Sequence, residues 1–562
     1  MLVNSIIFWC FFAAFLLPYF TLMRGKSRAQ NVWLLVASYF FYGYADWRMT
    51  ILLLIATITF YFLGLAINRV SGFKFQVSSN SLLTPKTLTV LGVVLGAGML
   101  LYFKYLNFFV EQFAALFALM GLKTNFSSFN IIVPIGISFF TFKLIAYVVE
   151  VYKGNMEPCR DFVTFAAYIA FFPTIMSGPI DSPKMFIPQM AKARRWNNSA
   201  VTEGMIRVLW GMFLKMCIAD KVSPYTDAVF NNYGHHSGMT IAVASVMYTF
   251  QIYSDFCGYS EMAIGTAQVM GFRVTENFFR PYFSTNVGEF WRRWHASLMN
   301  WFRDYIYFPL GGSRCSKAKM YRNTMVVFLV SGLWHGANWT FIFWGAYHGL
   351  LVCVYKVIKG SEAAGSRFKA LKRVQGLKSF PQKAEGLLAQ GSTLQEAPSD
   401  SRKGERILPT DLHGFTQKTA ELQFQGSKSQ EAPSDSPQGE ETEEKEQSLK
   451  LVEIGKKYGS ILLVFILVTV GWMVFRCDSF GQFWGMLAGL ATPGHFFASW
   501  ALTAVLPIGI MLFKELKDEE GWNFHLLHSK NWVVKAVSVG MLIVFIMYMG
   551  ELDGAKFIYF QF

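Results

Sequence analysis

Long runs of apolar residues alternate with short polar segments along most of this 562-residue chain. Clear runs span 5–23, 88–103, 242–256, 461–474 and 537–549, and aromatic residues flank several of them. A helix needs about 20 mainly apolar residues to cross the hydrocarbon core of a bilayer. The pattern therefore predicts an all-α protein that crosses a membrane several times. The first run has no basic segment before it and no small-residue cleavage site, so we interpret it as a span rather than a signal peptide.

The composition favours a protein whose main partner is the lipid bilayer and argues against a nucleic-acid partner. Hydrophobic residues make up 53% of the chain and charged residues only 15%, whereas soluble domains carry about 25% charged residues. The net charge of +15 is explained by the Lys and Arg that collect in cytoplasmic loops of membrane proteins. The seven cysteines are scattered, which favours reduced structural thiols over a disulfide framework or a zinc site.

The basic loops predict an orientation in the membrane. Segment 23–28 is basic and follows the first apolar run, so we expect the N-terminus outside and this segment inside. Segments 231–238 and 491–497 contain no Lys or Arg and are expected outside. The other basic segments are expected inside, at 68–75, 151–160, 191–196, 271–280, 313–322 and 355–360.

Two apolar segments do not fit a simple crossing pattern. Segment 162–180, FVTFAAYIAFFPTIMSGPI, and segment 282–312 each have inside-type loops on both sides, so each must cross twice or not at all. Neither is long enough to cross twice. We interpret both as re-entrant segments that dip in from the cytoplasm. Irregular backbone at that depth is tolerated only where it is buried in protein or lines a cavity, so the pattern predicts a cavity open to the cytoplasm.

A polar segment at 360–455 interrupts the apolar pattern. It is rich in Ser, Gln, Glu, Lys and Gly, and it contains a duplication, QGSTLQEAPSDSRKGE (390–405) and QGSKSQEAPSDSPQGE (425–440). Such a composition cannot bury enough apolar surface to fold by itself. We predict a disordered cytoplasmic loop, either an inert insertion or a docking segment. It separates a membrane core at 1–359 from the C-terminal transmembrane helices of the same core at 456–562.

Two histidines are the strongest candidates for chemistry. His295 lies in the second re-entrant segment, in WRRWHASLMNWFRDYIYFPLGG (291–312), and His335 lies in SGLWHGANW (331–339). Thirteen positions separate His335 from the basic residue Arg322, which is roughly 20 Å along a helix and places His335 past the middle of the membrane. An ionisable residue at that depth is a functional candidate, and a neutral imidazole can act as a general base.

Polar and aromatic side chains near these histidines are candidates for binding a donor. Helical spacing places Gln251, Ser254 and Asp255 on one side of a helix, where Asp255 lines a cavity, forms an ion pair or is an interfacial charge. The arginines of 282–312 either bind the phosphates of an anionic donor or extend to the interface. The predicted substrate- or donor-binding set is Arg292, Arg293, Trp294, Arg303, Asp304, Asn338, Gln251 and Asp255. No metal-binding spacing occurs in the sequence, so we expect no metal.

Several long motifs, in the right order, resemble one family. FQIYSDFCGYSEMAIG (250–265), ENFFRPYFSTNVGEFWRRWHASLMNWFRDYIYFPLGGSR (276–314) and SGLWHGANWTFIFWGAYHG (331–349) look like the bacterial membrane-bound O-acyltransferases. VPIGISFFTFKLIAYVVEVYKG (133–154), FFPTIMSGPI (171–180) and the terminal FIYFQF fit the same pattern. The interval between His295 and His335 is most similar to that of the alginate and peptidoglycan O-acetylation membrane proteins.

The resemblance implies a fold and an activity. The fold is a ring of about eleven transmembrane helices with re-entrant segments and a central tunnel, in the inner (plasma) membrane. His335 matches the catalytic histidine of the family, and His295 matches its second signature histidine. The implied reaction moves an acetyl group from a cytoplasmic thioester, acetyl-coenzyme A or another acyl carrier, to an acceptor outside, with no bound cofactor. The acceptor is a cell-envelope polysaccharide or a partner extracytoplasmic acetyltransferase of the SGNH type.

Two alternatives remain open. D-alanyl transfer to teichoic acid uses the same histidines, with a donor protein docked on the cytoplasmic face. A transporter also accommodates intramembrane Asp, Glu and His with broken helices, although the two halves of the chain show no convincing similarity to each other.

Overall fold

A computed structural model describes residues 1, 3–72, 84–122, 129, 131–377, 438–497, 501–551 and 557–558. These residues form helices and connecting segments, and none of the described residues forms a strand. The chain divides into two compact units, one of Met1–Val357 with Tyr458–Phe562 and one of Ile358–Lys457. All the site residues discussed below lie in the first unit.

The α-helices follow one another along the chain with short connections. Their bounds are α1 (Ile6–Phe20), α2 (Ser27–Gly43), α3 (Trp47–Gly72), α4 (Pro85–Leu100), α5 (Leu106–Leu119), α6 (Ile137–Tyr152), α7 (Phe162–Ile169), α8 (Pro183–Met190), α9 (Asn198–Met212), α10 (Asp220–Asn231), α11 (Gly238–Val269), α12 (Val287–Arg293), α13 (Ala296–Phe302), α14 (Lys317–His335), α15 (Trp339–Leu377), α16 (Gln438–Arg476), α17 (Phe480–Gly489), α18 (Ala501–Glu519) and α19 (Trp532–Met549). Three π-helical turns, Leu101–Tyr105, Phe213–Ala219 and Arg303–Tyr307, continue α4, α9 and α13.

Five stretches within the described helices are long and apolar enough to cross a membrane. They are Trp47–Ser71, Pro85–Leu119, Trp339–Gly360, Glu446–Arg476 and Trp532–Met549. Many of their large apolar side chains are exposed, as expected of surfaces that face lipid rather than water. The predicted all-α membrane architecture is confirmed at this level.

Glycines bring α9 and α11 into direct backbone contact. A Cβ added at Gly204 would lie 2.7 Å from the carbonyl oxygen of Gly265, and one added at Gly258 would lie 2.7 Å from that of Gly211. Each helix carries its two glycines seven residues apart, so the pairs recur on one face. Small residues permit this close approach between helices in membranes. The contact fixes α11, whose second half carries side chains that wall a cavity near the histidines.

The two segments predicted to be re-entrant contain only short helices. In 162–180, α7 has eight residues and is followed by irregular chain from Ala170 onward that is buried throughout. In 282–312, α12 and α13 have seven residues each, which is about 10 Å at the α-helical rise. None of these helices is long enough to cross a bilayer. Their insertion from the cytoplasm stays a prediction.

Helices adjoin the polar segment 360–455 on both sides. Helix α15 continues to Leu377 and α16 begins at Gln438, and the disordered cytoplasmic loop stays a prediction. Helix formers such as Ala, Lys and Glu are frequent in these flanks, and their propensity favours extending the adjoining helices. The sequence repeat lies mostly in 378–437, outside the described residues.

Candidate active site

His335 is the last residue of α14, at the turn into α15. Glycines make this hairpin tight, because a Cβ at Gly332 would overlap the carbonyl oxygen of Phe341 and one at Gly345 would overlap that of Phe328. The turn itself is held by Asn338, whose side-chain oxygen accepts from the backbone N–H of Thr340 at 3.2 Å. The motif around His335 thus positions this residue through backbone packing.

Two side chains from the π-helical turn Leu101–Tyr105 cap the end of α14. The Lys104 amine donates to the backbone carbonyls of Trp334 and His335, both at 2.8 Å. The Tyr105 hydroxyl donates to the carbonyl of Leu333 at 2.7 Å. The last carbonyls of a helix lack intrahelical partners and attract cations. The Lys104 amine therefore fixes the backbone of His335 itself, whereas the Tyr105 hydroxyl binds the chain two residues earlier.

Aromatic rings enclose the imidazole of His335, whose residue is only 5% exposed. Trp334, Trp344 and Phe475 meet it edge to face, with ring centroids at 4.9, 5.0 and 5.2 Å. Such packing limits rotation of the ring and excludes bulk water. An imidazole in these surroundings is suited to accept a proton from a bound group rather than from solvent.

His295 is held by a side-chain amide. Its Nδ1 lies 3.1 Å from Oδ1 of Asn277, and the same oxygen accepts from the backbone N–H and the hydroxyl of Ser297, at 3.3 and 2.8 Å. Because a backbone N–H can only donate, this atom of Asn277 is the oxygen, so the Nδ1 of His295 must donate to it. In a neutral imidazole the Nε2 is then an acceptor, and it has no hydrogen-bond partner among the described residues.

Trp334 lies between the two histidines. Its ring centroid is 4.9 Å from that of His335 and 6.1 Å from that of His295. On the side of His335 a cavity of about 90 Å³ opens, lined by Lys104, Trp334, His335 and the segment 133–139. The structure therefore brings together the two histidines predicted to carry the chemistry, and it places a cavity beside one of them.

A second and larger cavity lies behind His295. It has a volume of about 290 Å³ and is lined by charged and aromatic residues of α9, α11 and α18, together with Phe278, Phe279 and Arg280. The ring of Phe278 lies 5.1 Å from that of Phe256, which in turn lies 4.6 Å from His295. Two aromatic rings therefore separate this cavity from the histidine.

The cations around this second cavity already have anionic partners. Arg207 binds Glu261 and Glu276 at 2.8 and 2.6 Å, and Lys514 binds Asp518 at 3.0 Å. Arg280 binds Glu519 at 2.8 Å. The lining is thus polar but close to neutral in charge, which does not favour a phosphate over a neutral polar ligand.

The predicted arginines of the segment 282–312 differ in their surroundings. Arg293 binds Glu289 and Glu519 at 2.6 and 2.9 Å, and Arg303 binds Asp304 at 2.8 Å. Arg292 is exposed and has no anionic partner in the described part of the chain. Burial opposes ionisation of Glu519, but hydrogen bonds and the charges of Arg293 and Arg280 hold its pKa below the ordinary value. Donor binding by these arginines stays a prediction.

Three other predicted residues serve local structure. Trp294 is buried among rings and packs on Trp472 with centroids 4.7 Å apart. Asp304 accepts from its neighbour Arg303 and its backbone carbonyl from Lys153 at 3.3 Å. Asn338 caps α15 and donates to the carbonyl of Asp478 at 2.9 Å. These contacts position the segments around the histidines.

Gln251 and Asp255 are both engaged inside the helix bundle. Gln251 accepts from the hydroxyl of Thr226 at 2.6 Å and so joins α11 to α10. Asp255 binds Lys215 at 2.7 Å and also accepts from the backbone N–H of Ile558 at 2.7 Å. Of the alternatives left open for Asp255, the ion pair is confirmed, and it holds the C-terminal segment against α11.

Sequence analysis missed Asn277 and Lys104 in this neighbourhood and gave His348 little weight. Asn277 sits in a quoted motif without a distinguishing signal, whereas Lys104 is a charge inside the candidate span Pro85–Leu119, which is itself a functional signal. His348 is fully buried beside Trp291 and Trp344, and neither of its ring nitrogens has a hydrogen-bond partner among the described residues. In the same described part, no group of His, Cys, Asp and Glu is placed to hold a metal ion.

Comparison with known proteins identifies the family. The model of the membrane-bound O-acyltransferase family matches residues 38–364. The chain belongs to the membrane-bound O-acyltransferase family. The predicted family is confirmed, and with it the enzyme class that the family's name states and the location in a membrane.

Curated relatives add detail about related proteins. The chain is 39% identical over 337 residues to a probable alginate O-acetylase AlgI of Azotobacter vinelandii, covering 60% of this chain and 65% of that protein. It is 38% identical over 373 residues to the probable AlgI of Pseudomonas aeruginosa, covering 66% and 68%. It is 32% identical over 354 residues to a peptidoglycan O-acetyltransferase of Helicobacter pylori, covering 58% and 64%. The matches thus span about two thirds of these relatives.

Proposed function

We propose that this chain transfers an acetyl group from a thioester donor to a hydroxyl acceptor, with His335 as general base. The donor enters from the cytoplasmic face and the acceptor from the opposite face. The acceptor belongs to a cell-envelope polysaccharide or to a partner extracytoplasmic acetyltransferase of the SGNH type. The simplest donor is acetyl-coenzyme A.

One observation carries this proposal. The two histidines lie on either side of Trp334, with a cavity lined by His335 and a second cavity behind His295. An enzyme that joins substrates from two compartments needs such separate approaches to one reactive centre. The relatives named as O-acetylases and O-acetyltransferases support acetyl as the transferred group.

In the proposed reaction, His335 accepts the proton of the acceptor hydroxyl while the oxygen attacks the thioester carbonyl. The carbon–sulfur bond then breaks, and the proton passes from His335 to the leaving thiolate. General-base catalysis of this kind contributes typically about 10²–10⁴-fold, and alignment of the two substrates can contribute more. His295, with its Nε2 as acceptor, receives a hydrogen bond from the donor arm near the thioester.

The proposal includes the surrounding architecture. A ring of about eleven transmembrane helices in the inner membrane encloses a tunnel that joins the two cavities, with the N-terminus outside and 360–455 in the cytoplasm. Five candidate spans and the short, buried helices of 162–180 and 282–312 support this arrangement.

Ester-linked acetate in the cell envelope provides the test. We would compare cells that carry the intact protein, a deletion, His335→Ala, His335→Gln and the control His235→Ala at matched membrane levels. His235 is exposed and far along the chain from the site. Acetate released by mild base from purified polysaccharides, together with D-alanine, is the measurement.

We expect both His335 variants, like the deletion, to lower the amount of released acetate by at least about 100-fold. The His235 variant should release as much acetate as the intact protein. Acetate that persists in the His335 variants would remove this residue from the chemistry. Loss of base-labile D-alanine instead would show D-alanyl transfer, and no change in either ester would favour transport.

A further inference from the structure

We infer that Lys104 is a catalytic residue of the same site and stabilises the negative charge that develops on the thioester carbonyl oxygen. This inference rests on the proposed function and adds a second group to it. It comes from the surroundings of the amine, which differ from those of Lys215, a lysine buried in the same bundle.

Lys104 lies beside the space in which the proposed reaction takes place. Lys104 lines the same cavity of about 90 Å³ as His335. Its two hydrogen bonds, to the carbonyls of Trp334 and His335 at 2.8 Å, use two of the three donors of an ammonium group. The third donor is available to a group bound in the cavity.

No carboxylate binds the amine of Lys104 among the described residues, and the Trp334 ring lies 6.0 Å from it. Lys215 provides the contrast, because it is buried between Asp220 and Asp255, both at 2.7 Å. Burying an unpaired cation costs much more free energy than burying a paired one. In the proposed reaction the protonated amine, which has no carboxylate partner, binds the anion that forms on the carbonyl oxygen.

Capping alone does not require this charge. Tyr105, the next residue, caps the same helix end with a neutral hydroxyl at 2.7 Å from the Leu333 carbonyl. A neutral donor is therefore sufficient to satisfy a carbonyl at this position. The amine of Lys104 adds a charge that the helix end does not need but that an oxyanion does.

The reaction then involves both residues. The acceptor oxygen bonds to the thioester carbon while His335 takes the hydroxyl proton, and the carbonyl electron pair moves to the oxygen, which accepts a hydrogen bond from Lys104. When the carbonyl re-forms, the carbon–sulfur bond breaks and the thiolate takes the proton from His335. Lys104 keeps its own protons throughout.

The experiment compares Lys104→Met, Lys104→Arg and Tyr105→Phe with the intact protein and His335→Gln. Cells with matched membrane levels are assayed for the rate at which base-released acetate appears in the envelope. The same proteins, purified in detergent, are assayed for their melting temperature. Tyr105→Phe is the matched control, because it removes a cap from the same helix end and leaves the charge in place.

We expect Lys104→Met to lower the rate by about 10²–10³-fold, as loss of an oxyanion-stabilising donor does, and Lys104→Arg to restore part of it. Tyr105→Phe should change the rate less than about threefold while lowering the melting temperature about as much as Lys104→Met does. Equal rate losses for Lys104→Met and Tyr105→Phe, or an active Lys104→Met protein beside an inactive His335→Gln protein, would overturn the role of Lys104 alone. Full activity of His335→Gln would overturn the proposed function first.

Discussion

The two histidines are held in place by opposite means. His295 is held through its side chain, because Nδ1 donates to Asn277, while its backbone adopts a left-handed conformation with φ of 45°. His335 is held through its backbone, by the cap from Lys104 and by the tight hairpin of α14 and α15, while its ring contacts mainly aromatic walls.

This difference bears on what each imidazole can do. A ring whose Nδ1 is committed to an amide oxygen presents one fixed tautomer and a single acceptor, as a binding group should. The ring of His335 is enclosed mainly by aromatic side chains, and its position is set by the backbone that carries it. The comparison supports the proposed roles, in which His295 binds the donor and His335 transfers the proton.

The largest effect should follow from opening the hairpin beneath His335. In Gly332→Ala the new methyl group overlaps the carbonyl oxygen of Phe341, so α14 and α15 must separate. Displacement of a reacting group by about 1 Å can cost 10²-fold in rate, and overpacking costs typically about 1–3 kcal/mol of stability. Acetate release and the melting temperature measure these losses.

Gly540→Ala in α19 is the control for that change. A Cβ at Gly540 meets nothing within 4 Å, so the helix should gain about 0.5–1 kcal/mol from propensity and keep its activity. If Gly332→Ala also kept full activity, backbone packing would not position His335.

A smaller effect is expected from removing the amide that orients His295. Asn277→Ala leaves Nδ1 of His295 without its acceptor, so the ring loses its fixed tautomer, and the rate should fall by about tenfold, or ~1.4 kcal/mol. Ser260→Ala removes only the hydrogen bond from Nδ2 of Asn277, at 3.2 Å, and should cost less than about twofold. Equal losses in the rate of acetate formation for the two variants would contradict an orienting role for Asn277.

The smallest effect is expected at the charged surface of the His295 segment. Arg293→Ala removes the partner of Glu289 and Glu519 and should lower the melting temperature, whereas Arg292→Ala should leave it within about 1 °C, since exposed charges contribute little. The pKa of Glu519 is lowered in the folded protein. Ionised Glu519 therefore contributes to the stability of the folded protein at pH values above the ordinary pKa of Glu, about 4.3. This contribution is lost as the pH falls through the lowered pKa of Glu519.

The difference in melting temperature between the intact protein and Arg293→Ala should accordingly shrink below pH 4. A difference that stays constant down to pH 3 would show that Arg293 acts through packing rather than through its ion pairs. If acetylation falls for Arg292→Ala while stability does not, the predicted donor contact of Arg292 gains support.

Much of the site could be predicted because its chemistry lies in local motifs. The apolar runs predicted the helices, and the depth of His335 and the position of His295 singled out two residues that the fold brings to either side of Trp334. What could not be predicted depends on contacts between distant segments. The amine that binds the last carbonyls of α14 belongs to Lys104, which lies 230 residues earlier in the chain. The partner of Asp255 is Lys215 on a π-helical turn.

The charged residues of the sequence also did not reveal which charges are exposed and which are paired in the structure. Arg194 belongs to a loop that we interpreted as an orientation signal, yet it is 5% exposed and binds Tyr19 and Asn31. Of the three predicted donor-binding arginines, only Arg293 has an acidic partner far away in sequence among the described residues, Glu519, whereas Arg303 binds its neighbour Asp304. A sequence pattern reports how many charges a segment carries and gives no account of which of them are neutralised.

The left-handed backbone at residue 295 has a consequence for how this protein evolves. Glycine adopts that conformation freely, whereas any other residue type meets a cost of about 1–2 kcal/mol. Selection for folding alone would therefore drift toward glycine at this position. Under the role proposed for His295, histidine at this position gives up some thermal stability for turnover, and descendants that lost the reaction would be free to regain that stability.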